Sequence, residues 1–467
     1  MKIIPSFVFL LLFTQKIPWV DGDCFYHSPT RHCSCSLVDL TNIMSIVSCI
    51  QASSFEFQGG SFVDTTEYLS YSVEMEQVLA MIHLPLTKIS FVNVELSEAF
   101  LSTFIKWVFK IPINELAFEN TTFIGNSSWQ YMNGSSPYIS FLRFINVSSY
   151  SLLDRTADFS YLGDWISKLK EITLEKSHLT SIPCNISLLF KTLSSLDLSE
   201  NVLQDKDIST SFCQGAFPKL EILKLRHNSL INYETICHTI SEQQQLRHLD
   251  LSQNNILCSS SSVCEWQPSL VLLNLSNAGI EYLQCNLPKN CAILDLSYNM
   301  LTTLNISLPK LKELFLSYNR FSTISTTSQL PILQVLSIDW NPIKTIQRGQ
   351  LQFFKQLNIF SANNNLYTCS CSFVHEMNEI ANSGLKIQNW PDGYTCESPV
   401  LLSGKLVSEA NLSFFECHKT LLIVVISFVI LLIFMAIIIC FVKINRSTKA
   451  RSQNRHSGNL NSVHFHS

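Results

Sequence analysis

One pattern recurs along most of this chain: L-x-x-L-x-L-x-x-N-x-L, with Ile, Phe or Cys standing in for some of the leucines. The cleanest copies are LSSLDLSENVL from Leu193, LEILKLRHNSL from Leu220, LRHLDLSQNNI from Leu246 and LKELFLSYNRF from Leu311. Looser copies start at Leu86, Ile113, Ile139, Leu169, Leu270, Cys291, Leu333 and Leu357. The twelve starts lie 20 to 30 residues apart. A unit that short cannot close a core of its own, so each copy must stack on its neighbours.

Each copy predicts a short strand at x-L-x-L, its leucines turned inward and the residues between them facing solvent. Strands about 4.8 Å apart would build an inner face roughly 55 Å long. The recurrent Asn (Asn201, Asn228, Asn254, Asn299, Asn319, Asn341) brings two donors and an acceptor to the turn after the strand. There it can satisfy backbone groups of the turn and of the next repeat. The expected fold class is α/β, a leucine-rich-repeat solenoid (a horseshoe) with disulfide caps and one transmembrane helix.

Cysteines close the ends. Cys24, Cys33, Cys35 and Cys49 precede the repeats, and Cys369, Cys371, Cys396 and Cys417 follow them. The expected pairs are Cys24–Cys35, Cys33–Cys49, Cys369–Cys396 and Cys371–Cys417. Zinc is the rival reading of C-x-C, and an oxidising compartment favours disulfides. Inside the solenoid, Cys184, Cys213, Cys237, Cys264 and Cys285 fall at similar heights on successive repeats, about 5 Å apart, which suits a bridge. Stacking alone allows two schemes, Cys184–Cys213 with Cys237–Cys264, or Cys213–Cys237 with Cys264–Cys285.

The two apolar runs set the topology. Lys2, the run Ile3 to Phe13 and the small Gly22 read as a signal peptide cleaved after Gly22. Leu421 to Val442 carries no charge over 22 residues. As a helix it reaches about 33 Å, enough for a hydrocarbon core of roughly 30 Å. Lys443, Arg446, Lys449, Arg451 and Arg455 follow without an acidic residue, which puts that side in the cytoplasm. The expectation is a single-pass type I protein of the plasma membrane with an extracellular ectodomain. Its layout is signal peptide 1–22, N-terminal cap 23–85, repeats 86–368, C-terminal cysteine cap 369–420, transmembrane helix 421–442 and basic tail 443–467. Such a tail is too short for a folded domain, so a signal would leave through a partner. Cys440 beside the basic residues suits palmitoylation and a plain membrane cysteine equally. Eight sequons are expected outside: Asn120, Asn126, Asn133, Asn146, Asn185, Asn274, Asn305 and Asn411, with Asn445 inside and bare.

Net charge is −4 and the tail holds a concentration of cations, so the outer part lacks the basic footprint of a nucleic-acid binder. No G-x-S-x-G, H-E-x-x-H or P-loop occurs. Asp197, Asp250 and Asp295 read as solvent-facing strand residues, and His227, His238 and His248 fall at unrelated phases of different repeats. No catalytic residue, metal ligand or cofactor is therefore assigned, and the chain reads as a binding protein rather than an enzyme.

Residues 50–108 carry the candidate ligand site. Phe55 and Phe57 alternate as in a strand, and Met75, Val78, Leu79 and Ile82 recur at helical spacing. With Phe62, Phe91 and Phe104 they exceed what one short end needs, and they fit the lining of a cavity. Lys88 and Lys106, with Lys110, would sit at its mouth and suit an anionic head group on an acyl chain. Ordinary core between the cap and the first repeats is the competing reading.

The run PCNISLLFKTLSSLDLSEN, FCQGAFPKLEILKLRHNSL, ETICHTISEQQQLRHLDLSQNNI, VCEWQPSLVLLNLSNAGIEYL and LPKNCAILDLSYNML resembles the monocyte differentiation antigen family, lipopolysaccharide co-receptors of the Toll-like receptor system. The likeness is specific from about 165 to 305 and weaker from 24 to 165, where the C-x-C cap and the Gly59-Gly60 turn match. CSCSF, IQNWPDGYTCESP and FFECHKT instead look like the membrane-proximal cap of lipopeptide-sensing Toll-like receptors. Mammalian co-receptors of that family end in a lipid anchor, so properties that follow from the anchor do not carry over. The resemblance implies that lipopolysaccharide or another acylated microbial lipid enters an N-terminal apolar pocket. It also implies that the lipid is passed to a Toll-like receptor complex, with a homodimer left open. The family's bonds fall on Cys184–Cys213 and Cys237–Cys264, leaving Cys258, Cys285 and Cys291 over, at least one of them unpaired or joined to another chain. A glycan on Asn274, on the solvent side of a strand, would obstruct the concave face in the C-terminal half and favours the N-terminal site. Two readings from other classes stand beside this one. They are an adhesion receptor gripping a protein on its concave face, and a decoy Toll-like receptor without an intracellular domain.

Overall fold

In the computed structural model the described residues are 24–36, 49–62, 85–98, 104, 112–125, 138–149, 160–258 and 264–458. The signal-peptide segment, Met75, Val78, Leu79, Ile82, Lys106, Lys110, Asn126 and Asn133 lie outside them. The repeats fold into one sheet of 16 strands whose spatial order follows the chain. Its first pair, Cys24–His27 with His32–Ser36, is antiparallel, and every later pairing is parallel. The register places the middle apolar residue of each motif beside its equivalent, for example Leu196 beside Leu223, then Leu249, Leu273 and Leu294. These side chains are fully buried and form one continuous core that runs from Leu86 to the C-terminal cap. The chain is thus a leucine-rich-repeat solenoid.

The asparagines stitch the turns, but they reach back rather than forward. Asn254 Nδ2 donates to Leu251 O and Ser252 O in its own turn and to Leu225 O one repeat earlier. Its Oδ1 accepts from the backbone N–H of Asn228 and Leu230, also in the earlier repeat. A right-going parallel stack leaves the previous turn's groups facing this side chain, so the bond runs to the preceding unit. Asn365 joins the same ladder, donating to Ala362 O and Ile338 O.

The first repeats are built differently. At the ladder position they carry Val94, Thr121, Val147 and Ser177 instead of Asn. The inward place before it holds Phe57, Phe91, Phe118 and Phe144, stacked with ring centroids 5.2 to 5.4 Å apart. Phe104 meets Phe91 edge-on at 5.4 Å. Opposite the main sheet, Ser61–Phe62, Glu95–Ser97, Thr122–Ile124 and Ser148–Ser149 form a second parallel sheet of four strands. Large rings need that second wall, because short turns alone would leave them uncovered. The ladder also starts earlier than the motif count puts it. Ser54–Gln58 lies between His32–Ser36 and Lys88–Val92, so stacking begins inside the segment expected as cap. At the other end Lys386–Ile387 adds a last strand after Ile359–Ser361.

Seven disulfides occur among the described residues. The caps hold Cys24–Cys35, Cys33–Cys49, Cys369–Cys396 and Cys371–Cys417. Within the solenoid stand Cys184–Cys213 and Cys237–Cys264, and a third bridge, Cys258–Cys285. Of the three cysteines left over by the resemblance, two therefore pair with each other. Cys291 is free and buried in the first apolar place of its repeat, so it does not reach another chain. The sulfurs of Cys24, Cys33 and Cys35 gather within 4.8 Å, a spacing that would suit a metal, but the two bridges already engage all three.

After the cap, Lys419–Gly458 is a single helix, longer at both ends than the apolar run within it. Its part Lys419–Arg451 is long and apolar enough to cross a membrane. The Cys371–Cys417 bridge ties the cap to the residue two places before that helix.

Candidate functional site

The structure brings Phe55, Phe57, Phe91 and Phe104 together at the N-terminal end. Phe55 and Phe57 sit on one strand, half-buried, and pack against both the main core and the cap cluster of Cys24, Cys33, Cys35, Cys49 and Ala52. Phe91 is 2% exposed and forms the wall behind them. Phe57 is thus the end of the phenylalanine row, with one flank on Phe91 and Phe55 at 6.1 Å along its own strand. Phe62 belongs to the second sheet. An acyl chain would need hundreds of Å³. A cavity of about 30 Å³ lies far along the solenoid, lined by Leu304, Leu314, Phe321 and Phe354 among others, with room for little more than a water-sized group.

Lys88 stands apart from that apolar group. It shares a strand with Phe91 but projects from the opposite, concave face, since residues three apart on a strand point to opposite sides. There its Nζ lies 2.9 Å from Glu115 Oε1. Arg143 continues the row, with Nε 3.4 Å from Glu115 Oε1 and Nη2 3.3 Å from Glu171 Oε1. Farther on, Lys224 meets Asp197 at 3.0 Å and Arg226 meets Glu200 at 3.7 Å. Burial, then the carboxylates of Asp197 and Glu200, push the Glu175 carboxyl above its ordinary range, while Arg226 and Lys224 pull the other way. In the N-terminal half of the concave face Glu115, Glu171, Asp197 and Glu200 each meet a cation.

The C-terminal half differs. Strand residues Ile293, Phe315, Val335 and Ile359 face outward and half-buried beside Glu313 and Asp295. Three residues past successive strands stand Tyr298, Tyr318 and Trp340, 55%, 39% and 50% exposed. Their rings stack at 4.2 and 5.4 Å. Sequence reasoning passed over these three because they occupy variable places of the motif.

Of the sequons, Asn120, Asn146, Asn185, Asn305 and Asn411 are exposed. Asn274 is half-buried on a concave strand, where its Oδ1 accepts from Ser276 N–H. Asn146 Nδ2 donates to Asn120 Oδ1 at 2.6 Å.

A scan against models of known protein families finds no match. Toll-like receptor 2 of Bison bison is 37% identical over 262 residues, 56% of this chain and 33% of that receptor, and the Bos taurus protein gives the same values. Toll-like receptor 2 type-1 of Gallus gallus is 29% identical over 379 residues, 80% of this chain and 47% of the receptor. The chain therefore spans between a third and about half the length of the curated relatives it matches. Among solved structures, the mouse RP105/MD-1 complex gives a TM-score of 0.53 at 15% identity, covering 78% of this chain and 68% of that one, a likeness of fold.

Proposed function

We propose that this chain is an innate-immune receptor of the cell surface that binds lipopolysaccharide or another acylated microbial lipid at its N-terminal repeats. It would then pass the lipid to a Toll-like receptor complex. The observation that carries the reading is the phenylalanine row, whose terminal member Phe57 stays half-buried where cap and repeats meet. Phe55 and Phe57 keep part of their apolar surface uncovered where the row meets the cap, and an acyl chain is a ligand that covers it without a polar mismatch. Similarity to Toll-like receptor 2 supports the innate-immune part of the proposal. In this reading the apolar helix holds the protein in the plasma membrane with the disulfide-bonded repeats outside, and the sequons carry glycans.

The test is lipid extraction and mass spectrometry of the purified chain, together with transfer of fluorescent lipopolysaccharide and lipopeptide. Phe57→Asp should abolish transfer in chain that is still secreted, although it melts earlier because Phe57 packs on Phe91 and the cap, and Phe57→Leu should keep transfer. Undiminished transfer by the folded variant removes the N-terminal repeats from the site.

A further inference from the structure

The turn that follows each strand holds one residue in the left-handed region, and the residues found there divide the solenoid. In five repeats that residue is Asn, at Asn93, Asn120, Asn146, Asn277 and Asn364, the side chain that tolerates this conformation best after glycine. In four it is Lys176, Glu200, His227 or Gln253, and in three consecutive repeats it is a large aromatic: Tyr298 at φ 58°, Tyr318 at φ 56° and Trp340 at φ 53°. Bulky rings are disfavoured there, and their exposure gains nothing for the core. The backbone still holds them in step, with N–H of Tyr298, Tyr318 and Trp340 bonded to Ser317 O, Asp339 O and Asn363 O. Left-handed backbone is common to all these turns, so what sets the three apart is a run of exposed, stacked rings at a place that polar side chains hold elsewhere, and that points to use rather than to folding.

The sheet beside them supplies the chemistry of the occupant. Glu313 pairs in register with Ile293 on one side and Val335 on the other, and Asp295 lies beside Phe315. Two carboxylates are thus set among outward apolar side chains. Asp295 Oδ1 accepts from Ser297 N–H, and among the described residues no cation stands within ion-pair distance of Asp295 or Glu313, whereas the N-terminal carboxylates Glu115, Glu171, Asp197 and Glu200 each have one, though Glu175 and Asp250 do not. Half-buried carboxylates without a cation call for one from outside. Arginine fits both features, because its planar guanidinium forks onto a carboxylate and stacks on aromatic rings.

We propose that the concave strands from Ile293–Asp295 to Ile359–Ser361, with the Tyr298–Tyr318–Trp340 rim, dock a protein partner that presents an arginine flanked by apolar side chains. This surface is separate from the N-terminal lipid site and does not depend on it. Asn274, in register with Asp295 on the preceding strand, marks its N-terminal limit.

The test uses the full chain in nanodiscs and a phage-displayed library of random 12-residue peptides. Selected peptides should be enriched in arginine next to apolar residues. Glu313→Lys should weaken the best of them about tenfold or more, and changing the peptide's arginine to glutamate should restore binding to that variant. Tyr318→Asn should lose peptide affinity while unfolding no earlier than wild type, since it relieves the strained turn. Selection without basic enrichment, equal binding by Glu313→Lys, or full affinity in Tyr318→Asn would each overturn the proposal. So would selected peptides that bind outside these strands, or a surface that engages only glycans or only a second copy of the chain.

Discussion

Phe118→Ala tests whether the phenylalanine row holds the N-terminal repeats together. Phe118 is 1% exposed, with Phe91 at 5.3 Å, Phe123 at 5.2 Å and Phe144 at 5.2 Å. Truncating such a ring typically removes about 3–5 kcal/mol. The site has walls on two sheets and collapses poorly, which favours the upper part of that range. Stability in a solenoid is a sum of repeat and interface terms, so the loss should stay near its origin. Hydrogen exchange is the assay. Amides of Lys88–Val92, Glu115–Glu119 and Phe141–Ile145 should lose protection by on the order of 1000-fold, within about 100- to 4000-fold, since about 1.4 kcal/mol is a factor of ten. The strands from Ile222–Lys224 to Ile359–Ser361 should exchange as in wild type. Phe118→Leu, which installs the residue type this column has from Leu174 to Leu316, should lose much less. Loss spread evenly to the C-terminal strands, or protection unchanged at the three named ones, would refute the idea of a locally acting aromatic row.

Two further outcomes follow from buried groups. Burial raises the Cys291 thiol to about 12, so alkylation at pH 8 should label it only after denaturation, and non-reducing peptide mapping should recover Cys258–Cys285. Rapid native labelling of Cys291, or a Cys213–Cys237 peptide, would contradict this arrangement. The raised Glu175 carboxyl holds its proton to higher pH folded than unfolded, so its ionised form destabilises the fold as pH rises through the folded value. Glu175→Gln should therefore melt higher than wild type at pH 7, with the difference closing below pH 4.5, and a lower melting point at pH 7 would reverse the sign.

What the sequence made legible was whatever the stack enforces at every turn. Leu196, Leu223, Leu249 and Leu273 must be apolar in a fixed register, and twelve motif starts therefore coincide with twelve strands of the sheet. The repeat around Ser54–Gln58 escaped because its apolar places hold Ala52, Phe55, Phe57 and Phe62, with neither leucine nor isoleucine among them, besides Gly60 at the ladder place. Cys258–Cys285 escaped for another reason. Equal height was the criterion, and Cys258 stands twelve residues before its repeat's Leu270 while Cys285 stands six before Cys291. Extra chain between Cys258 and Leu270 lets the first sulfur reach a level that counting denies it. In the candidate lipid site the alternation of Phe55 and Phe57 was readable, but alternation also puts Lys88 and Phe91 on opposite faces, and that separates the expected head-group cation from the row.

The same logic explains why the aromatic rim was invisible in the motif and conspicuous in the fold. A motif records only positions at which most substitutions fail, and the residue before the ladder Asn is not one of them. Its constraint is conformational: φ near +55° recurs at every turn, with or without a following Asn, and the residue's own N–H is bonded to the next repeat, as Tyr318 N–H is to Asp339 O. Stacking on the next repeat fixes the backbone strongly enough that the side chain there can be a poor local choice without breaking the turn. A stack of rings at 4.2 Å returns part of that loss, but polar Asn would avoid it altogether, as it does at Asn277 and Asn364 on either side. Exposed rings stacked at three successive turns, beside the concave carboxylates Asp295 and Glu313, mark a surface shaped by a partner rather than by the core.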